Sequence, residues 1–125
     1  MNFVFVYGSL KNGFHNHKVM KDSQFIGIAT TKEKYDMFSY SSFPAVIPNG
    51  DYHIKGEIYY VDDETLKELD RLEGNGSFYK RKIIDTEKLK DIWCYFLLNY
   101  RESQVKEQTG IQIINGDTKV WVKKY

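Results

Sequence analysis

Apolar segments of strand length recur along this chain, and each is soon cut off by glycine, proline, asparagine or aspartate. That punctuation leaves little room for helix and forces most of the core to come from short strands. Phe3-Val4-Phe5-Val6-Tyr7 is a continuous apolar run ending at Gly8, the pattern of a strand buried on both faces that delivers its end into a loop. Two short strands are expected over residues 24–39, on either side of a turn at 30–33. Phe43-Pro44-Ala45-Val46-Ile47 reads as a separate short segment closed by Pro48-Asn49-Gly50. Further strands are expected at 53–61, 78–85, 92–100 and 119–123. Two short helices fit between them: residues 15–22, with Val19 and Met20 facing inward, and 63–73. Many strands with two short helices predict an α+β fold with a curved or closed sheet.

The 125 residues are one domain's worth, and no linker, repeat or low-complexity stretch divides them, so residues 1–125 read as a single domain. An aromatic content of 16% argues against disorder and for a core of large, shape-specific side chains. The formal net charge of +1 lacks the basic excess of a nucleic-acid binder, and Lys80-Arg81-Lys82 and Lys123-Lys124 read as solvated surface. Cys94 is the lone cysteine, so no internal disulfide is expected, and its apolar surroundings suggest a buried thiol, not a nucleophile. His15, His17 and His53 are the only histidines, and their spacing suggests no metal site. No apolar run approaches a membrane span, and the apolar stretch Phe3 to Val6 is too short for a leader. The expected location is the cytoplasm.

The loop after the first strand has glycines at 8 and 13, but Phe14 and His15 stand where a phosphate-binding loop needs Lys and Ser/Thr. A glycine-bearing turn at the end of a buried strand can still aim successive backbone N–H groups at a carboxylate or an oxyanion. On spacing alone an ordinary tight turn is the better fit.

The second helix is capped by Asp62 or Asp63 and stopped by Gly74-Asn75-Gly76. Leu66, Leu69 and Leu72 form its apolar stripe. At ~100° per residue, Glu73 projects about 40° from the centre of that stripe, whereas Glu68 and Asp70 lie about 100° away and Glu64 about 140°. Glu73 also sits at the helix C-terminus, where the dipole disfavours negative charge. Both features would raise its pKa and suit it to proton transfer near neutrality. The alternative is a frayed last turn that lets Glu73 reach water.

Three stretches follow one another in a specific order. Phe5-Val6-Tyr7-Gly8-Ser9-Leu10-Lys11-Asn12-Gly13 is followed by Asn16-His17; Gly56-Glu57-Ile58-Tyr59 runs into Val61-Asp62; and Leu69-Asp70 leads through Glu73 to Tyr79 and Arg81. In order and spacing, over most of residues 3–100, the chain resembles the γ-glutamyl cyclotransferase family. The likeness is greatest to the γ-glutamylamine cyclotransferase branch, which reads Tyr-Gly-Thr/Ser-Leu-Lys-x-Gly at the loop. The glutathione-specific branch reads Tyr-Gly-Ser-Leu-Ile-Trp there, and Lys11 and Asn12 depart from it. The tail from Glu102 onward carries no motif.

The resemblance implies a small mixed β-barrel with short helices packed on it. It also implies conversion of a γ-glutamyl amide, a small-molecule substrate, to 5-oxoproline and a free amine, without metal or cofactor. The substrate's own α-amine would attack its γ-carbonyl. Glu73 would be the catalytic acid and base. The turn Gly8-Ser9-Leu10 would hold either the oxyanion or the α-carboxylate, and Tyr7 and Tyr79 would wall the pocket. Two rival readings lack the chemistry: a non-catalytic module that binds a γ-glutamyl or oxoproline-like ligand in the same pocket, and a plain scaffold that keeps the fold only. A carboxylate on an apolar face favours the enzyme over the binding module.

Overall fold

The computed structural model describes residues 2–14 and 16–123. His15, placed by the sequence at the start of the first helix, lies outside the described residues, as does Lys124 of the terminal basic pair.

The first strand, β1 (Asn2–Val6), is buried on both faces as its apolar run requires. Val4 and Val6 enter one core cluster and Phe5 the other. β1 pairs antiparallel with β4 (Phe43–Val61) on one side and parallel with β6 (Ile92–Leu97) on the other. β2 (Gln24–Thr30) and β3 (Tyr35–Tyr40) also pair with β4, which is the spine of the fold. The main path of paired strands runs β5 (Tyr79–Ile84), β6, β1, β4, β8 (Thr118–Trp121), β7 (Ile111–Ile114). Among the described residues no ladder closes this sheet. The end of β2 is tied to the segment after β5 by an isolated bridge of Thr31 with Thr86 and by the Thr30 N–H, which donates to Glu87 Oε2 at 2.6 Å. The α+β class is as expected, but the barrel is an open mixed sheet.

Three elements differ from the sequence expectation. Residues 43–47 and 53–61 belong to one strand, because Pro48-Asn49-Gly50 does not end β4. Tyr35 faces Tyr52 while Asp36 faces Ile47, so the intervening residues of β4 bulge out with Asn49 at φ 63°, and pairing resumes beyond them. The helix expected at 15–22 is a single 3₁₀ turn, His17–Met20, with Met20 buried and Val19 packed at the core's edge. The tail contains a hairpin, of which the sequence reading found only the second strand. Its turn carries Asn115 and Gly116 at φ 53° and 74°, the pair of left-handed residues that a tight hairpin demands. That Asn-Gly pair was the available signal.

The helix α1 (Asp63–Glu73) follows the end of β4 directly. The Asp62 side chain accepts a 2.7 Å hydrogen bond from the Thr65 N–H and caps its start. Gly74, at φ 60°, ends it in the left-handed conformation that a side chain would strain. Leu66 and Leu69 bury against Val4 and Val6 of β1, Tyr79 of β5, and Tyr95 and Leu97 of β6. Leu72 does not join them; it is 46% exposed. No helix among the described residues is long and apolar enough to cross a membrane.

Candidate active site

One cavity of about 170 Å³ opens where the end of β1, the start of β4 and the end of α1 meet. Tyr7, Gly8, Ser9, Leu10, Glu73 and Tyr79 all line it, so every site residue singled out from the sequence comes to one place. Phe43, Pro44, Leu72, Phe78, Tyr95 and Asn16 complete most of its wall. The sequence reading assigned none of these six to the pocket, because they arrive from β4, α1, β6 and two separate loops.

Glu73 reaches the cavity because of how α1 is seated. With Leu72 off the buried face, the stripe is Leu66 and Leu69, and Glu73 projects only about 10° from its centre at ~100° per residue. The C-terminal turn does not fray, since the Gly74 N–H donates to Arg71 O and the Asn75 N–H donates to Asp70 O at 2.8 Å. The carboxylate has no hydrogen-bond or ion-pair partner among the described residues. Burial therefore acts unopposed, and it raises the Glu73 carboxyl from 4.5 to about 7.

The neighbouring acid is held very differently. Asp70 accepts a two-pronged pair from Arg81, Nε to Oδ1 at 2.9 Å and Nη2 to Oδ2 at 3.0 Å, and a 2.6 Å bond from the Tyr95 hydroxyl. The Arg81 guanidinium also lies 4.1 Å from the centroid of Trp93. This clamp locks the last turn of α1 onto β5 and β6. It gives a physical reason for the spacing of Asp70, Glu73, Tyr79 and Arg81: one acid is anchored so that the other can stand unpaired.

The turn that lines the cavity with Glu73 is packed too tightly for a side chain at its first position. A Cβ on Gly8 would sit 2.7 Å from Pro44 Cγ. Ser9 is pinned by Asn16, whose Nδ2 donates to Ser9 Oγ at 2.9 Å and whose N–H donates to Ser9 O at 2.8 Å. The buried Lys11 ammonium donates to Trp121 O at 2.7 Å, so the tail anchors the loop. The backbone N–H groups of Gly8, Ser9 and Leu10 donate to no acceptor among the described residues. Both tyrosine hydroxyl protons are committed inside the fold: Tyr7 donates to Tyr95 O at 2.6 Å and Tyr79 to Pro44 O at 3.2 Å. Burial pushes both hydroxyls well above the usual tyrosine range. They are walls of the site, locked in place. Cys94 is buried behind it, and burial pushes its thiol up. Among the described residues no group of His, Cys, Asp and Glu could hold a metal ion.

Fold and site together define an α+β domain with a small, mostly apolar cavity. One unpaired carboxylate and a turn whose N–H groups meet no acceptor among the described residues both line it. The family model described as γ-glutamyl cyclotransferase, AIG2-like, matches residues 4–119. The chain belongs to that family. A Methanocaldococcus jannaschii protein, provisionally named a γ-glutamylcyclotransferase, is 46% identical over 125 residues, covering 95% of this chain and 97% of that one. The γ-glutamylaminecyclotransferase of Rattus norvegicus is 38% identical over 102 residues, covering 72% of this chain and 66% of its own. The crystal structure of an AIG2-like protein from Mus musculus superposes with a TM-score of 0.76 at 29% identity, covering 86% of this chain and 84% of that one.

Proposed function

We propose that this protein is a cofactor-independent γ-glutamyl cyclotransferase that releases 5-oxoproline and a free amine from a γ-glutamyl amide, with Glu73 as general acid and base. The observation that carries the reading is the unpaired Glu73 carboxyl, raised to about 7 by burial and lining the same cavity as the Gly8-Ser9-Leu10 turn. A group with that pKa is populated in both protonation states near neutrality, as a proton shuttle must be.

The nucleophile is already tethered to the electrophile, so the site need not bring two molecules together. Glu73 takes a proton from the substrate's α-ammonium, and the freed amine attacks the γ-carbonyl carbon. The carbonyl π electrons move to oxygen, and the N–H groups of residues 8–10 receive that oxyanion or grip the α-carboxylate. Collapse re-forms the carbonyl and breaks the bond to the leaving nitrogen. Over the cycle the α-nitrogen gives up two protons and the leaving nitrogen gains two, so Glu73 ends as it began. The substrate is a small molecule, and the compartment we assign is the cytoplasm, where a lone reduced thiol such as Cys94 is at home.

The test is a panel of γ-glutamyl amides incubated with the protein and read for 5-oxoproline by mass spectrometry. Release from at least one amide at a rate set by enzyme concentration is expected. If no amide is turned over while 5-oxoproline still binds, the protein is a binding module instead.

A further inference from the structure

The cavity has two unlike ends. Tyr7, Leu10, Tyr79 and Tyr95 are buried and form its inner wall. Its lip is made by Phe43, Leu72 and Phe78, which are 46%, 46% and 48% exposed. Tyr40 stands edge-on to Phe78 with ring centroids 5.7 Å apart. A single exposed apolar residue needs no explanation, but three around one opening do. Leu72 matters most here, because it leaves the stripe of α1 to sit at this lip. Among the described residues no Lys, Arg or Asp lines the cavity, and Glu73 is the sole ionised group there near neutral pH.

Size divides the substrate between the two ends. A cavity of about 170 Å³ is smaller than the ~300–1,000 Å³ that encloses a drug-sized ligand. It has room for the γ-glutamyl head, whose reacting atoms must reach Glu73 and the turn at 8–10. The substituent on the leaving nitrogen then lies at the lip.

We propose that the lip selects γ-glutamyl amides of arylalkylamines, whose apolar aromatic substituent lies across Phe43, Leu72 and Phe78. This rests on the cyclotransferase reading and narrows its substrate. An aromatic ring there covers hydrocarbon now in water and meets Phe43 and Phe78 ring to ring. A substituent ending in a carboxylate or ammonium would shed water against the same surface and find no partner.

The experiment compares three amides sharing one head group: γ-glutamyl-phenethylamine, γ-glutamyl-ethylamine and Nε-γ-glutamyl-lysine. The phenethyl amide is expected to exceed the ethyl amide about tenfold in kcat/KM, with the lysine amide lowest. Phe78→Ser, and independently Phe43→Ser, are expected to remove most of that ratio. Ile113→Ser is the control: it also removes a half-exposed apolar side chain, but on β7 outside the cavity, and is expected to keep the ratio. Calorimetric binding of the phenethyl and ethyl amides to Glu73→Gln reads the same preference without turnover. Equal kcat/KM for the three amides would overturn the lip assignment and leave the reaction standing. If nothing is turned over but the phenethyl amide binds tighter, the lip assignment stands and the cyclotransferase reading falls. Neither turnover nor a binding preference would overturn both. Sedimentation that finds a dimer lost in Phe78→Ser would make the lip a contact between copies of this chain and overturn the assignment.

Discussion

Replacing Glu73 with Gln keeps the side chain's size and one hydrogen-bonding oxygen but removes the titrating proton. Burial raises this carboxyl from 4.5 to about 7. Between those values the folded protein holds a proton that the unfolded chain has released, so stability falls as pH rises through that window. The penalty is absent below about pH 4 and complete above about pH 8. At ~1.4 kcal/mol per pH unit, the wild type carries about 3 kcal/mol of it at the alkaline end. Glu73 is only partly buried as a residue, and solvent screening brings the figure to about 2 kcal/mol. Gln carries no such penalty. The variant should therefore melt with the wild type near pH 4 and above it at pH 8. A domain of this size shifts about 3–5 °C per kcal/mol, so the expected gap at pH 8 is about 6–10 °C. Turnover should fall ~10²–10⁴-fold in kcat with KM little changed, because Gln cannot carry a proton between two amines. Calorimetric melts at both pH values and a 5-oxoproline release assay make the measurement. A melting difference that does not change with pH would refute the burial argument. Wild-type turnover in the variant would refute the role given to Glu73.

The pH profile of the wild-type kcat/KM should show an acidic limb near 7, since the base form of Glu73 is lost below it; a limb near 4.5 would mean a solvated carboxyl. Gly8→Ala places a Cβ 2.7 Å from Pro44 Cγ and should destabilise by about 1–3 kcal/mol while lowering turnover, read by urea melts and the release assay. Asp70→Asn breaks the pair with Arg81 and weakens the acceptor for Tyr95; a loss of about 1–3 kcal/mol is expected, and unchanged stability would show that the clamp is decorative. Cys94 is 1% exposed, so a thiol reagent should label it only once guanidinium unfolds the protein; fast labelling of the native protein would contradict its burial.

The chain's local chemistry was enough to determine β1, the capped helix α1, the stop at Gly74 and the inward bias of Glu73. The sequence signals for all of these lie within a few residues of one another. Asp62 meets the Thr65 N–H three residues on, and the angle between Leu69 and Glu73 follows from helical geometry alone. Local pattern misled where a long-range partner overrode it. Pro48-Asn49-Gly50 reads as a terminus, yet β3 on one side of the bulge and β2 and β1 beyond it hold β4 together as one strand. Leu72 reads as core, but no element among the described residues buries it, and so it remains half-exposed at the lip of the cavity.

The site divides in the same way. Helix geometry and loop spacing raised Glu73 and the turn at 8–10 as candidates, and the family resemblance implied Tyr7 and Tyr79 as walls of the pocket. They could not say that Tyr95, Phe43, Phe78 and Asn16 would join them, that the two tyrosine hydroxyls would be tied to backbone carbonyls, or that Lys11 would reach Trp121 across most of the chain. The same limit applies to Asp70 and Glu73. They lie one helical turn apart with equal formal charge, and only the approach of Arg81 and Tyr95 from β5 and β6 neutralises one and leaves the other alone. Desolvation and ion pairing depend on what surrounds a carboxyl in space, and a linear chain does not specify those surroundings until the sheet has brought its strands together.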